Sequence, residues 1–445
     1  MTSQSVNPNF VVNADVLDVI NSARRLGCDA AELHVNYESG FSVSVREGAL
    51  DIFQQQQEQA LSLTVFKNHC SATVSSTDFS ASALNATLTK AMSLVMFTQP
   101  DECRSLADSH QLAFNYPELS LYHPWTISSE EAICLAIDMD DAISNHDKRI
   151  MHCESANVST THVHHVYANS MDFVGSYSYT VHQQSCAILA SDSNGKQQHS
   201  EYDIQCRSEA LSDPVNLAIT AAEETCRRLS PRKLKTQQSS IIFSAPCARG
   251  LIAIFLRAIN GHNIYRQSSF LMNNLSSQVF PEFFSVYQRP HEQGVLHSAP
   301  FDNEGVRLYD MPLVEAGCFN YFLCDSYSAR RLKCSSTGHA GGARNVYVKS
   351  SGVSFSEMCA RMGRGLYVTD LMGQGVNLIN GDYSRGASGF WVENGEVQYP
   401  VDEVTIAGNL RDMFRNIVAV ADDLDQRGNI KTGSILIESM TIAGI

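Results

Sequence analysis

Gly389-Phe390-Trp391-Val392-Glu393-Asn394-Gly395-Glu396-Val397-Gln398-Tyr399 spells out a β-hairpin. Two runs rich in aromatic and β-branched residues flank Asn394-Gly395, a pair that takes positive φ at both central positions of a type I′ turn. Downstream, residues 433–438 form a largely apolar run that reads as a core strand. Upstream, residues 240–244 read as a strand leading into a helix over 246–259. Most of the remainder reads as strands, interrupted by glycine-rich loops at 338–342 and 373–389, the natural walls of a cleft. Residues 236–445 are therefore expected to form a mostly β domain.

A polar, basic stretch at 231–238 marks the boundary before that domain. In residues 111–235, Thr126-Ile127-Ser128-Ser129-Glu130-Glu131 opens a helix. Its hydroxyls satisfy free amides and its carboxylates offset the helix dipole. Strands at 150–159, 162–168, 173–180 and 186–191 follow, with Ser193-Asn194-Gly195-Lys196 as a hairpin turn and a closing helix over 214–229. Residues 1–110 carry a helix over 14–27 ending at Gly27, four short strands at 31–37, 41–46, 50–56 and 60–67, and a second helical run over 80–97. The expected class is α+β, with N-terminal helix-and-antiparallel-sheet units followed by the β-rich domain.

A chain of 445 residues has room for two or three domains. Its 32 basic against 47 acidic residues give a net charge of -15, which disfavours nucleic acid as a partner. The thirteen cysteines are scattered, odd in number and without a Cys-x-x-Cys pair, so neither a disulfide framework nor a zinc ribbon is expected. Residues 1–12 are polar and lack a signal-peptide core, and no run of about 18 apolar residues occurs. A cytoplasmic location with reduced thiols and no membrane partner follows as the expectation.

Beyond the hairpin, Met372-Gly373-Gln374-Gly375-Val376 and Asn380-Gly381-Asp382-Tyr383-Ser384-Arg385-Gly386 precede it, and Tyr399-Pro400-Val401-Asp402-Glu403-Val404-Thr405-Ile406-Ala407-Gly408-Asn409-Leu410 follows. With Pro300-Phe301-Asp302-Asn303-Glu304-Gly305-Val306, Ser326-Tyr327-Ser328-Ala329-Arg330-Arg331 and Ser336-Thr337-Gly338-His339-Ala340-Gly341-Gly342, the chain resembles the TldD/PmbA family of peptidases, also called modulators of DNA gyrase, in its PmbA/TldE branch. TldD-type chains carry His-Glu-x-x-x-His, two zinc ligands and a general base. The matching residues here are Arg257-Ala258-Ile259-Asn260-Gly261-His262, so only the last histidine remains. The family's cysteine ligand falls near Leu371-Met372-Gly373, where no cysteine stands. A cation repels a metal, and one histidine does not make a centre that needs about three protein ligands. The resemblance thus implies a metal-free TldE subunit, with no cofactor of its own, in a heterodimer whose TldD-type partner holds zinc. The implied substrates are unfolded peptides, as in leader-peptide removal and antitoxin degradation. A homodimer is implied as an option for the chain alone.

The candidate substrate or interface residues are Arg257, His262, Tyr265 and Arg266 in one segment and Asp382, Tyr383, Ser384 and Arg385 in another. Both groups are expected to face the partner, with Arg266 and Arg385 holding carbonyls or a peptide carboxylate bidentately. His339, in its glycine loop, is expected to serve binding or structure. His162, His164 and His165 are expected on a solvated sheet face, the first two on one side. Two other readings remain open: a stand-alone peptidase using a different metal site or a cysteine nucleophile, and a non-enzymatic binder of peptides or a topoisomerase.

Overall fold

The computed structural model describes residues 14–144 and 146–445. The expectation for residues 1–12 lies outside them. The mixed helix-and-sheet class stands. Helix α1 (Ala14–Arg25) leads into β1 (Ala30–Arg46), β2 (Ala49–Lys67), β3 (Cys70–Ser76) and α2 (Ala81–Leu94). Then come α3 (Ser129–Ile143), β4 (Ile150–Asn169), β5 (Val174–Asp192), β6 (Gly195–Gln205) and α4 (Pro214–Arg227). Strands from before and after residue 110 join in one antiparallel sheet, ordered β3-β2-β1-β4-β5-β6. Helices α1 and α2 cover one end of a face through Leu33, Val35, Leu63 and Val65, and α3 and α4 cover the other end through Val43, Val45, Val158 and Ile188. The opposite face meets the C-terminal domain, where Tyr167 and Phe173 pack on Phe301 and Val306.

Four pairs of expected short strands are four long ones. Gly40 does not end β1. A Cβ there would lie 2.1 Å from the Thr160 carbonyl oxygen, so glycine permits the close approach of β4. The glutamine run 54–57 likewise continues the ladder, opposite residues 39–42. The start of α3 follows its sequence signals: Ser128 accepts from Glu131 N and Glu131 accepts from Ser128 N, a complete capping box.

The C-terminal domain adds β7 (Gln237–Phe243), α5 (Ala245–Ala258), α6 (Gly261–Tyr265), β8 (Val286–Gln288), β9 (Met311–Glu315) and β10 (Cys318–Phe319). It continues with α7 (Ser326–Leu332), β11 (Val346–Val348), α8 (Phe355–Met362), β12 (Gly365–Met372), β13 (Asp382–Glu393) and β14 (Glu396–Asn409). Helix α9 (Leu410–Arg415), β15 (Ile417–Val420), β16 (Ile430–Lys431) and β17 (Ile435–Ala443) complete it. One sheet runs β14-β13-β12-β7-β17-β15, and a further pairing of β14 with β17 closes it into a barrel. The hairpin joining β13 to β14 has φ of 55° at Asn394 and 78° at Gly395, as a type I′ turn requires. The apolar face of α5, from Cys247 and Leu251 to Phe255, packs against the barrel residues Phe243, Leu366 and Trp391 in the largest core. Strands β10-β9-β8-β11-β16 form a second, smaller sheet.

The histidine cluster differs from expectation. His162 and His164 do share a face, but His164 is buried, with its Nδ1 2.7 Å from Ser178 Oγ, and Tyr122 lies against the His162 ring. On the other face His165 Nδ1 meets Asn36 Oδ1 at 2.7 Å. Burial lowers the basicity of all three, so this is a half-buried, packed patch rather than a freely solvated face.

Candidate functional site

Helix α5 buries its apolar face and leaves Arg257 exposed in its last turn, where a cation suits the dipole. The helix stops at Ala258. Asn260 accepts from His262 N at 3.0 Å and caps the separate turn α6. The six residues 257–262 therefore do not share one helix face. Gly261 presses α6 against α7, since a Cβ there would lie 2.5 Å from Ser328 Oγ and 2.8 Å from Cys324 Sγ.

That approach brings His262 to Asp325, the N-cap of α7. Asp325 accepts from Ser328 N at 2.7 Å and Ser328 Oγ at 2.6 Å, and from His262 Nε2 at 2.7 Å. Burial pushes the Asp325 carboxyl up, but these hydrogen bonds outweigh it and hold it below its ordinary value. The ring of Tyr327, two residues on, stacks on His262 at 5.9 Å and meets Tyr265 edge-on at 5.8 Å.

Arginines surround these rings. Arg331 lies 5.5 Å from the Tyr265 ring centre, Arg104 lies 5.5 Å from that of Tyr327, and Arg266 Nε donates to Tyr265 OH at 3.1 Å. The Tyr327 hydroxyl donates to Asp101 Oδ2 at 2.7 Å, which pushes it up to about 12. Arg330 donates to the carbonyls of Cys103, Ser105 and Leu106, tying residues 101–108 to α7. Among the described residues no carboxylate pairs with Arg257 or Arg266. The result is a cationic, aromatic seam on an acidic chain, suited to carbonyls and carboxylates.

A zinc centre does not fit this donor set. Arg257 and Ala258 offer no ligand atom, and His262 Nε2 is engaged by Asp325. Among the described residues no group of three or more His, Cys, Asp or Glu side chains is placed to hold a metal ion.

The second candidate group is split by the two-residue strand period. Tyr383, 1% exposed, faces the barrel interior, while Asp382 and Ser384 are exposed. Asp382 accepts from Asn380 Nδ2 at 2.6 Å, and Arg385 Nη2 donates to the Leu371 carbonyl at 3.2 Å. The chain just after the first group meets the chain just before the second where Phe270 N donates to Leu378 O at 2.7 Å. His339 stands apart from both. It is buried between Thr337 Oγ1 at 2.9 Å and Gln288 Oε1 at 3.0 Å, and burial lowers it to about 4. Of the expected group Arg257, His262, Tyr265 and Arg266, the structure sets the last three beside Asp101, Arg104, Asp325, Tyr327 and Arg331, which the sequence reading did not name. A signal for part of this was present: Asp325 as a helix cap with Arg330-Arg331 in the last turn.

Family models match three segments: PmbA/TldA metallopeptidase domain 1 over residues 31–95, the central domain over 122–229 and the C-terminal domain over 236–444. The chain belongs to the PmbA/TldD family. Metalloprotease PmbA of Escherichia coli O157:H7 is 42% identical over 416 residues, spanning 94% of this chain and 92% of that protein. The Haemophilus influenzae PmbA homologue is 41% identical, spanning 93% and 92%. Two crystal structures share the PmbA/TldD fold. A Bacteroides thetaiotaomicron protein described as a candidate modulator of DNA gyrase superposes with a TM-score of 0.92 at 22% identity, over 97% of this chain and 98% of that one. TldE of Thermococcus kodakarensis does so with a TM-score of 0.81 at 18% identity, over 97% and 100%. No helix among the described residues is long and apolar enough to cross a membrane.

Proposed function

We propose that this chain is the zinc-free TldE-type subunit of a cytoplasmic two-subunit peptidase acting on unfolded peptides. In this reading a TldD-type partner supplies zinc and the general base, while this chain shapes the chamber and holds the peptide. The observation that carries it is the junction of α5 and α6. There Arg257 and Ala258 stand where a ligand and a base would be needed, and His262 is engaged by Asp325. The seam of Tyr265, Tyr327, Arg266 and Arg331 supplies flat surfaces and donors for a peptide. A second feature supports recognition of extended, sequence-varied chains. Among the described residues, positions 49–60 of β2 pair with β1 alone, because β3 pairs only with residues 61–67. That open edge offers main-chain hydrogen bonds to an added strand.

The test is metal content of the purified chain by elemental analysis, paired with hydrolysis of a flexible peptide with and without a TldD-type partner. Metal well below one ion per chain, with activity only in the mixture, is the expected result. One bound zinc with activity of the chain alone would refute it. Peptide capture without proteolysis even in the mixture would favour the non-enzymatic binder.

A further inference from the structure

Arg228 and Arg385 each bury an Nε–H with no hydrogen-bond partner at close distance among the described residues, and Ser244 Oγ and Tyr383 OH are buried with no close partner beyond the Cys247 thiol and Arg385 that act on them. Ser244 is 5% exposed, Tyr383 1% and Arg228 9%. The four come from separate places in the sequence and meet at one end of the barrel. Arg228 caps the C-terminus of α4, Ser244 links β7 to α5, and Tyr383 and Arg385 lie on β13. Ser244 N donates to Val368 O at 2.9 Å, which sets the start of α5 beside Thr369, where Arg228 Nη1 donates at 3.1 Å. Their focus is Cys247, in the first turn of α5. Ser244 lies against its thiol, the charges of Asp370, Arg385 and Arg228 act on it, and the Tyr383 hydroxyl senses both Arg385 and that thiol.

A buried donor without a partner costs about 1–3 kcal/mol, so folded proteins satisfy such groups with water or with a ligand. Charge distinguishes the two here. Arg228 pairs with Asp370, whereas Arg385 donates Nη2 to the Leu371 carbonyl and has no carboxylate among the described residues. The Cys247 thiol, pushed up to about 11 by burial, stays neutral and supplies no counter-charge. One positive charge is therefore left facing the N-terminus of a 14-residue helix whose N-cap side chain caps nothing. Free amides, the helix dipole and an unbalanced guanidinium all favour an anion over water.

We propose that this cluster binds a small oxyanion, an inorganic phosphate or the terminal carboxylate of a peptide, with Arg228, Arg385, Tyr383 and Ser244 as its donors. The assignment concerns this chain alone and stands apart from the partnership proposed above.

The test titrates the full chain with sodium phosphate at constant ionic strength, balanced with sodium chloride, and follows the thermal unfolding midpoint. A saturable rise with phosphate and none with chloride is expected. Tyr383→Phe, which removes one hydroxyl and keeps the ring, is expected to weaken the apparent affinity about tenfold, and Arg385→Gln to abolish it. A peptide with a free C-terminus is then compared with its C-terminal amide as competitors of phosphate. Displacement by the acid alone identifies a peptide carboxylate as a source, and displacement by neither identifies the free anion. Absence of a saturable phosphate response, or one equal in wild type and Tyr383→Phe, would overturn the proposal and leave these atoms to water. If Arg385→Gln does not fold, Tyr383→Phe carries the comparison by itself.

Discussion

His262 Nε2 donates to Asp325 Oδ2 at 2.7 Å across the contact between α6 and α7. The pair engages the last residue of the stretch 257–262. It also fixes the ring on which Tyr327 stacks, so His262 anchors an aromatic seam.

Restoring the motif by Arg257→His with Ala258→Glu is expected to give weak, substoichiometric zinc binding. Helix α5 ends at Ala258 and His262 begins another turn, so the two histidines would not project from one face, and His262 Nε2 is already held by Asp325. Isothermal titration with zinc checks this. Tight one-to-one binding would show that the two turns rearrange into a centre.

Tyr327→Phe keeps the stacked ring and removes the hydrogen bond to Asp101. A double-mutant cycle with Asp101→Asn is expected to give a coupling of about 1 kcal/mol, modest because the pair is partly solvated. Hydrogen exchange across residues 101–108 is expected to rise in either variant while the barrel strands stay protected. Unchanged exchange would mean that the Arg330 contacts alone hold this segment.

Local conformation was legible in the sequence and long-range pairing was not. Asn394-Gly395 and the Ser128-Glu131 box carry their own geometry, dictated by φ and by side-chain reach. The polar stretch at 38–40 read as a break because strand continuity is set by what lies alongside. Glu38 sits opposite Glu58 on β2 and Val163 on β4, and no pattern within β1 reports that. The site divides in the same way. Arg257, Ala258 and His262 stand in one short motif, whereas Asp325 and Tyr327 reach it across about 60 positions and Asp101 across about 160. Those meetings are products of folding, invisible to spacing arguments.

Glu32 accepts from Tyr167 OH at 3.0 Å at the face where the sheet meets the C-terminal domain. Desolvation, with the nearby Glu304, raises its carboxyl to about 7. An unfolded glutamate releases its proton near 4.5, whereas the folded chain keeps this one to about 7. The unfolded state is therefore progressively favoured as pH rises through that window, and the contribution to stability falls between pH 4.5 and 7. Glu32→Gln removes the penalty. Its unfolding midpoint is expected above wild type at pH 8, by about 1–2 kcal/mol since Glu32 retains some solvent contact, and equal to wild type at pH 4.5. Parallel pH profiles of the two proteins would exclude Glu32 as the source.

Gly40 and Gly48 lie near each other in sequence yet make opposite demands. At Gly48, in the turn between β1 and β2, φ is 73° and a Cβ would meet nothing within 4 Å, so Gly48→Ala is expected to cost only backbone strain, about 1–2 kcal/mol. At Gly40 a Cβ would lie 2.1 Å from Thr160 O and 3.0 Å from Thr161 Cα, both backbone atoms that no side-chain rotation can clear. Gly40→Ala must therefore push β1 from β4 and loosen the ladder that joins the two N-terminal segments into one sheet, at about 2–4 kcal/mol. Urea unfolding of both variants orders them directly. If Gly40→Ala proved no costlier than Gly48→Ala, β1 and β4 would have slack at their midpoint, and close packing would not explain why the strand runs unbroken through residues 38–40.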